Sequence, residues 1–159
     1  MVGTFEIAPV CSPDDLLATA ALFRAYAASL QIDLGYQNFA AELVELPGKY
    51  APPAGALLLA RDASGRSVGC VALRPLEPAG CCEMKRLYVA PYGRGLGLGR
   101  ALVEAIVGEA ARLGYREIRL DTLPTMTEAL SLYARSGFES VPAYYDTPIA
   151  GTIFLARTL

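Results

Sequence analysis

Apolar residues recur at helical spacing in two long stretches of the chain. The first follows Ser12-Pro13-Asp14-Asp15, an order of residues typical of a helix start. The predicted buried face of this helix consists of Leu16, Ala20, Phe23, Ala27 and Leu30. The second helix runs from about Gly97 to the terminating Gly114, and its predicted buried face consists of Leu98, Leu102, Ile106, Ala110 and Leu113. Shorter helical patterns cover residues 36–46 and 126–135.

Most of the remaining sequence has the pattern of strands. We predict strands over residues 4–10, 56–60, 67–73, 82–89, 117–122 and 152–156. Residues 62–66 are rich in turn formers and join the second and third strands as an antiparallel hairpin. Residues 83–122 form a strand, the second long helix and another strand, a crossover that pairs the two strands in parallel. The pattern therefore predicts a mixed sheet with about four helices.

Size and charge narrow the class of protein. The 159 residues, 53% of them apolar, suit one globular domain over residues 1–159. The net charge is −2 and the 14 basic residues are scattered, so the sequence predicts no nucleic-acid partner. No stretch approaches the length of a membrane span, and the first residues lack the basic and apolar regions of a leader. We therefore expect a cytoplasmic protein with no membrane partner.

The chain contains no histidine, which restricts the chemistry open to it. Ser-His-Asp catalysis, Cys-His catalysis and most catalytic zinc sites are excluded. The four cysteines (Cys11, Cys70, Cys81 and Cys82) lack CxxC spacing, so we expect reduced structural thiols and no metal site, with a redox role as the alternative. An enzyme of this composition would use carboxylates, tyrosine, lysine or backbone groups.

Three alternating glycines, Gly95, Gly97 and Gly99, mark the start of the second long helix. Such a turn places unpaired N–H groups and the positive end of the helix dipole at one point, which favours a phosphate. Arg94 and Arg100 add positive charge beside it, so a diphosphate is the predicted ligand. A tight turn whose glycines serve only packing is the alternative.

Two other phosphate-binding motifs fit this turn less well. A nucleoside triphosphate P-loop needs Lys and then Ser or Thr after its last glycine, where this chain has Arg100-Ala101. A dinucleotide-binding fingerprint fits better, because Gly95 and Gly97 open a helix after a strand and Asp121 ends the next strand. Arg100 replaces its third glycine, however, and the unit follows antiparallel strands. Dinucleotide binding stays an alternative.

The glycine turn resembles the acetyl-CoA motif of the GNAT superfamily of N-acetyltransferases. Arg94-x-x-Gly97-x-Gly99 matches the family's Arg/Gln-x-x-Gly-x-Gly/Ala signature, and Leu87-Tyr88-Val89-x-Pro91 precedes it. Residues 129–138, ALSLYARSGF, resemble the family's later Leu-Tyr-x-x-x-Gly-Phe segment. The two segments occur in the family's order with a strand between them, and the resemblance extends over the whole chain.

The resemblance implies a single-domain acyl-CoA N-acyltransferase fold: mixed α/β, with a central, mostly antiparallel sheet, a splayed parallel pair and about four helices. It implies acetyl-CoA as co-substrate, no metal, and acetyl transfer to a primary amine of a small molecule or amino acid in a ternary complex. Backbone groups of Leu87 and Val89 would bind the pantetheine arm, and N–H groups from Gly95 to Arg100 would bind the pyrophosphate. The implied cofactor-binding residues are Leu87, Tyr88, Val89, Arg94, Gly95, Leu96, Gly97, Leu98, Gly99 and Arg100.

The resemblance also implies two catalytic residues. Glu83 aligns with the general base of histone-type members and would act through a water; a carboxylate paired with Lys85 or Arg116 is the alternative. Tyr133 occupies the position that faces the CoA sulfur, with a core tyrosine as the alternative. Because a free tyrosine (pKa about 10) is less acidic than a thiol (about 8.5), full proton transfer would cost about 2 kcal/mol. We therefore expect Tyr133 to hydrogen-bond the developing thiolate.

The acceptor site of the family lies between the first two helices, the splayed strands and the C-terminal loops. The residues predicted to contact substrate there are Tyr26, Asp33, Tyr36 and Tyr145, a lining that suits a small amine or amino acid. Met126 stands where many relatives carry an asparagine, so we expect one usual cofactor contact to be missing. Asp121, at the end of the parallel strand, is expected either to contact substrate or cofactor instead or to cap the last helix. A non-catalytic acyl-CoA-binding or sensing module is the alternative function, and the resemblance leaves a homodimer open.

Overall fold

A computed structural model describes residues 4–159 of the chain. The strands are β1 (Phe5–Pro9), β2 (Ala56–Asp62), β3 (Ser67–Leu76), β4 (Cys81–Val89), β5 (Glu117–Thr122), β6 (Glu139–Ser140) and β7 (Ile153–Thr158). They form one seven-stranded sheet in the order β1-β2-β3-β4-β5-β7-β6. Neighbouring strands pair antiparallel except β4 and β5, which pair in parallel. The predicted mixed, mostly antiparallel sheet is confirmed.

Residues 4–159 contain four α-helices, as predicted: α1 (Pro13–Ser29), α2 (Phe39–Glu45), α3 (Leu98–Arg112) and α4 (Thr127–Arg135). The Ser12 side chain accepts the N–H of Asp15 at 3.1 Å, which confirms the predicted start of α1. The helix predicted over residues 36–46 is interrupted, because Asn38 adopts a left-handed backbone (φ 56°) between a short 3-10 turn, Leu34–Gln37, and α2. None of these helices is long and apolar enough to cross a membrane.

The buried face of α1 differs from the predicted one. Thr19, Ala20, Leu22 and Phe23 are the buried residues of this helix, whereas much of the predicted stripe, including Leu16, is only partly buried. Thr19 is buried because its hydroxyl donates to the Asp15 carbonyl at 2.7 Å and so needs no water. The helix is rich in alanine, and alanine on several faces weakens the periodic signal. For α3, in contrast, the predicted positions Leu98, Leu102, Ile106 and Ala110 are all buried.

Helices cover both faces of the sheet, and this explains the composition of β4. One apolar cluster joins α3 and α4 to one face through residues such as Leu58 and Val71. The other joins α1 to the opposite face through Leu57 and Leu59. Strand β4 lies between both layers and is buried without interruption over Cys81–Arg86, so its apolar alternation is imperfect in the sequence.

Strand β3 extends past the predicted end at Leu73 to Leu76 and includes Pro75. A proline normally argues against a strand interior because it lacks an N–H donor. Here β2 ends its pairing at the Ala56–Leu73 register, so Pro75 lies beyond β2 and pairs only with Cys82 of β4. The extension places Arg74 directly opposite Glu83.

Strands β4 and β5 separate soon after they meet. They pair only over Cys81–Glu83 of β4, while β5 continues along β7 to the end at Thr122. The register between β3 and β4 also shifts beyond Lys85, and Arg86 has a positive φ of 59°. The ends of β4 and β5 are therefore splayed, as predicted, and an opening forms between them.

Candidate active site

The glycine turn between β4 and α3 has the backbone shape of an anion site. Gly95 and Gly97 both have left-handed backbone, with φ values of 81° and 77°, which any side chain would strain. Gly97 is the N-cap residue of α3. Within residues 4–159, the N–H groups from Gly95 to Arg100 donate to no protein acceptor, and the first bond of the helix is Ala101 N–H to Gly97 O at 3.1 Å. These N–H groups suit a phosphate.

A groove of about 500 Å³ runs from this turn toward the start of α4. The end of β4, from Leu87 to Val89, forms one wall. The predicted cofactor residues that line it are Leu87, Tyr88, Val89, Arg94, Gly95, Gly97, Leu98 and Gly99, and residues 125–129 of the α4 region lie opposite. The remaining two predicted residues have side chains outside the groove: Leu96 is 39% exposed, and Arg100 forms an ion pair with Glu104 at 3.1 Å.

Arg94 lies along the groove wall in this structure. Its Nε donates to the Val89 carbonyl at 3.0 Å, and its guanidinium lies 6.0 Å from the centre of the Tyr88 ring. The side chain is exposed, so it is free to exchange this carbonyl for an anion in the groove. Arg94 thus adds a positive charge beside the N–H groups of the turn.

Tyr133 lies on α4 and is 6% exposed. Its ring packs edge-on against Phe138, with the ring centres 5.9 Å apart, and forms part of the core below the groove. Burial raises the pKa of Tyr133 well above its usual value, so the hydroxyl stays protonated and can act as a hydrogen-bond donor.

A second, smaller cavity of about 40 Å³ lies in the opening between β4 and β5, and we call it the acceptor pocket after the role that the family resemblance implies for this region. Tyr133, Lys85 and Asp121 are among its lining residues. The acceptor pocket and the groove share Tyr26, Leu87 and Met126, so the two cavities meet. Burial raises the pKa of Tyr26 to about 12, which leaves it neutral as well.

The four predicted substrate residues occupy different places. Tyr26 and Tyr36 line the acceptor pocket. Tyr145 reaches its edge, where the hydroxyl donates to the Asp121 carboxylate, and burial raises the pKa of Tyr145. Asp33 is exposed and lies outside the lining, because its carboxylate accepts the N–H of Gly35 at 2.8 Å and caps the turn before α2. From the sequence alone, an aspartate that caps a turn cannot be distinguished from one that binds substrate, because both occur in polar segments between helices.

Glu83 is completely buried, and both of its oxygens are engaged. Oε1 accepts a hydrogen bond from Arg74 Nε at 2.8 Å, and Oε2 accepts the hydroxyl of Tyr144. The alternative pairing with Lys85 or Arg116 is not formed; Arg116 instead donates to the Ala79 carbonyl at 3.1 Å. Tyr144 stacks on Tyr145 with ring centres 5.6 Å apart, which links Glu83 to the edge of the acceptor pocket.

Comparison with known proteins decides the family. The sequence matches the acetyltransferase (GNAT) family over residues 20–138. The chain belongs to this family. It is 43% identical over 153 residues to an uncharacterised N-acetyltransferase of Schizosaccharomyces pombe, an alignment that covers 96% of this chain and 94% of the relative.

Solved structures agree with this GNAT assignment. A Klebsiella pneumoniae protein assigned to the acyl-CoA N-acyltransferases is 27% identical, with a TM-score of 0.77 and 98% of each chain covered. A GNAT acetyltransferase of Staphylococcus aureus shares the fold at 18% identity, with a TM-score of 0.80 and coverage of 98% and 99%. The protein is therefore an N-acetyltransferase of GNAT type, and its neighbours imply that it uses an acyl-CoA.

Sequence reasoning missed two residues that shape the acceptor pocket of this GNAT acetyltransferase. Lys85 was expected only as a partner of Glu83, and Asp121 only as a capping residue or an unspecified contact; both line the pocket. The available signal was a lysine within a strand predicted to be central, since a buried lysine needs a specific reason. Within residues 4–159, no group of His, Cys, Asp and Glu is arranged to hold a metal ion.

Proposed function

We propose that this protein transfers an acetyl group from acetyl-CoA to a primary amine of a small molecule or amino acid, by direct attack in a ternary complex. The observation that carries the proposal is the junction of the two cavities. The groove begins at the unpaired N–H groups of Gly95 to Arg100 and meets the acceptor pocket at Leu87 and Met126. Tyr133 lines the acceptor pocket beside this junction. Donor and acceptor would thus lie side by side.

The residues of the groove fit a CoA diphosphate and its arm. The N–H groups at the start of α3 supply donors to phosphate oxygens, and the helix dipole favours their negative charge. Beyond Glu83, β4 pairs with β3 only, so its other edge is open to an extended chain such as pantetheine. This edge carries Leu87 and Val89, whose backbone groups were predicted to bind the arm. Binding of the arm at Val89 would displace the Arg94 contact.

In the proposed reaction the amine nitrogen attacks the thioester carbonyl carbon. The new C–N bond forms, the C–S bond breaks with its electron pair moving to sulfur, and the nitrogen loses a proton. The protein must hold the two reactants in line, accept that proton and stabilise the thiolate. The first task falls to the two joined cavities, which would hold donor and acceptor side by side.

Tyr133 stabilises the leaving thiolate as a hydrogen-bond donor. Burial raises the pKa of its hydroxyl, so full transfer of its proton to sulfur is even less favourable than for a free tyrosine. A hydrogen bond to a developing charge in a buried site needs no proton transfer to lower the barrier. The thiolate can take its proton later from solvent.

Two carboxylates are candidates to accept the proton that the amine loses. Asp121 lines the acceptor pocket itself. Glu83, the predicted base, lies behind it, and its Oε2 accepts the hydroxyl of Tyr144. Tyr145, on which Tyr144 stacks, donates to Asp121. We retain Glu83 as the predicted proton acceptor, with a water between the amine and the carboxylate; the stacked tyrosine rings position these groups and carry no proton.

Release of CoA from acetyl-CoA, measured with a panel of amines, amino acids and polyamines, tests the proposal. We expect turnover with at least one small amine, and we expect Tyr133→Phe to lower kcat about 100-fold while the Kd for acetyl-CoA changes less than about twofold. Tyr115→Phe is the matched control, because Tyr115 donates to the Ala54 carbonyl at 2.5 Å and lines neither cavity. Binding of acetyl-CoA without turnover on any acceptor would favour a sensing module instead.

A further inference from the structure

Two acid–base pairs near the acceptor pocket, at least one partner of each buried, form direct ion pairs. Arg74 contacts Glu83 at 2.8 Å. Arg86 forms a two-point contact with Glu42, with Nε and Nη2 each 2.9 Å from a different carboxylate oxygen. These distances are typical of charge-assisted hydrogen bonds. In both pairs the charge of the arginine is compensated by its carboxylate, so neither arginine is available to a substrate.

The third pair, Lys85 and Asp121, is not joined by a hydrogen bond. Lys85 Nζ lies 3.9 Å from Asp121 Oδ1, which is beyond hydrogen-bond distance. Among residues 4–159, Nζ has one short contact, to Gln37 Oε1 at 3.0 Å, and an ammonium group has three donors. Asp121 receives its hydrogen bond from Tyr145 through the other oxygen, Oδ2. Lys85 and Asp121 both line the acceptor pocket, with side chains 7% and 14% exposed.

The surroundings of Lys85 favour an anionic ligand. Burial lowers the pKa of Lys85 more than the negative charges of Asp121 and Glu83 raise it, so the ammonium form is incompletely compensated. The Gln37 side chain is held in place, because its oxygen also accepts Arg86 Nη1 at 2.9 Å and its amide nitrogen lies 2.9 Å from the Tyr36 hydroxyl. It therefore offers Lys85 a shared neutral oxygen and no negative charge. A carboxylate would supply the missing acceptor and the missing charge.

We propose that the acceptor is an α-amino acid whose carboxylate binds Lys85 Nζ and whose amine faces Asp121. An α-amino acid carries opposite charges on adjacent atoms of its head group, and Lys85 and Asp121 present the complementary charges in the same pocket. The cavity of about 40 Å³ holds roughly three or four water-sized groups, since one water needs roughly 10–15 Å³, so the carboxylate would fill it and the rest of the acceptor would extend toward the groove. This inference rests on the proposed acetyl transfer and narrows its substrate class.

The test compares common L-amino acids with their C-terminal amides as acceptors. We expect kcat/KM to be about 10- to 100-fold higher for at least one amino acid than for its amide, the ratio typical of one charged hydrogen bond. The α-amine of an amino acid amide is less basic than that of the free amino acid, so a larger fraction of it is neutral and able to attack. This difference favours the amide, so a preference for the amino acid would have to come from recognition of its carboxylate. Wild-type protein alone therefore provides a decisive measurement.

Variants of the only two lysines sharpen the test. Lys85→Met should lower kcat/KM for that amino acid about 10- to 100-fold and leave its amide within about threefold. Lys49→Met makes the same change at an exposed lysine outside the acceptor pocket and should change neither value. Thermal unfolding of both variants checks their folding. Calorimetric titration of the amino acid into protein saturated with CoA gives the same comparison without catalysis.

The outcomes separate this inference from the proposed function. If amines or amides are acetylated as well as amino acids, or Lys85→Met weakens both acceptors equally, the inference is overturned while acetyl transfer stands. If the CoA-saturated protein binds an amino acid through Lys85 but turns none over, recognition stands and the proposed reaction fails. If no amino acid binds or reacts, the inference is wrong.

Discussion

The glycine turn and the acceptor pocket lie along the same groove, but they are built in opposite ways. The turn uses main-chain N–H groups from contiguous residues, Gly95 to Arg100, which are mostly exposed. The acceptor pocket uses side chains from distant segments, such as Tyr26 of α1, Lys85 of β4 and Asp121 of β5. The turn should therefore tolerate many side chains but few changes of backbone shape. In the pocket, small changes of side-chain charge should be costly.

The largest effect is expected near the acceptor pocket, at the side chain of Glu83. Glu83→Gln should lower kcat about 100-fold if Glu83 accepts the amine proton. It should also destabilise the fold by about 3 kcal/mol, because it leaves Arg74 without its carboxylate. Steady-state kinetics and denaturant unfolding measure the two effects.

A double variant separates catalysis from structure at this position. Arg74→Met combined with Glu83→Gln removes both buried charges, so most of the stability should return. The kcat should stay low, because the carboxylate is still absent. A double variant with recovered kcat would mean that Glu83 only holds Arg74 and Tyr144 in place, and Asp121 would then be the base to test.

A smaller effect is expected at the turn, where backbone shape matters. Gly97→Ala places a Cβ on a residue with φ of 77°, which costs about 1–2 kcal/mol, although the added atom meets nothing within 4 Å. The N–H groups should shift to relieve this strain, and the Kd for acetyl-CoA should rise about 10-fold. Gly108→Ala is the matched control, since Gly108 lies inside α3 with open space around it. It should leave the Kd unchanged and raise the unfolding temperature; equal Kd values for both variants would contradict the backbone account.

The smallest effect lies outside both regions, at Asp15. Its carboxylate accepts the N–H of Cys11 and contacts Arg61 at 2.7 Å, and these contacts, the first most of all, lower the pKa of Asp15 from 3.8 to about 2. The stabilisation is therefore complete above pH 3.8 and is lost as the pH falls through about 2. Asp15→Asn should lower the unfolding temperature by a few degrees at pH 7, with the difference from wild type shrinking toward pH 2. Both sites should bind their ligands as before; a changed Kd for acetyl-CoA would show that the turn depends on this distant contact.

The same contrast explains how much the sequence could predict. The turn, the start of α1 at Ser12 and the buried face of α3 are encoded in contiguous or evenly spaced residues, and the structure confirms their placement. The β2–β3 hairpin and the parallel pair of β4 and β5 were also predicted, and the family resemblance implied the splay of that pair. These features depend on local backbone preferences and on periodicity, which one sequence displays.

The pairing of buried side chains could not be predicted in the same way. Pro75 led the predicted strand to end at Leu73, so the register that sets Arg74 opposite Glu83 was missed. Lys85 and Asp121 are brought together by the splay of two strands, and no spacing in the sequence encodes that distance. Asp33 shows the opposite difficulty, because the structure places it in a local cap outside the pocket lining, and a cap resembles a functional contact in the sequence.

Titration calorimetry with CoA and with pantetheine tests the central claim most directly, because the two ligands share the arm and thiol but only CoA carries the diphosphate. If the N–H groups from Gly95 to Arg100 hold the diphosphate, CoA should bind at least about 10-fold more tightly than pantetheine. Gly97→Ala should reduce this ratio, and Gly108→Ala should keep it. Equal affinity for the two ligands, or no detectable binding of CoA, would contradict the account.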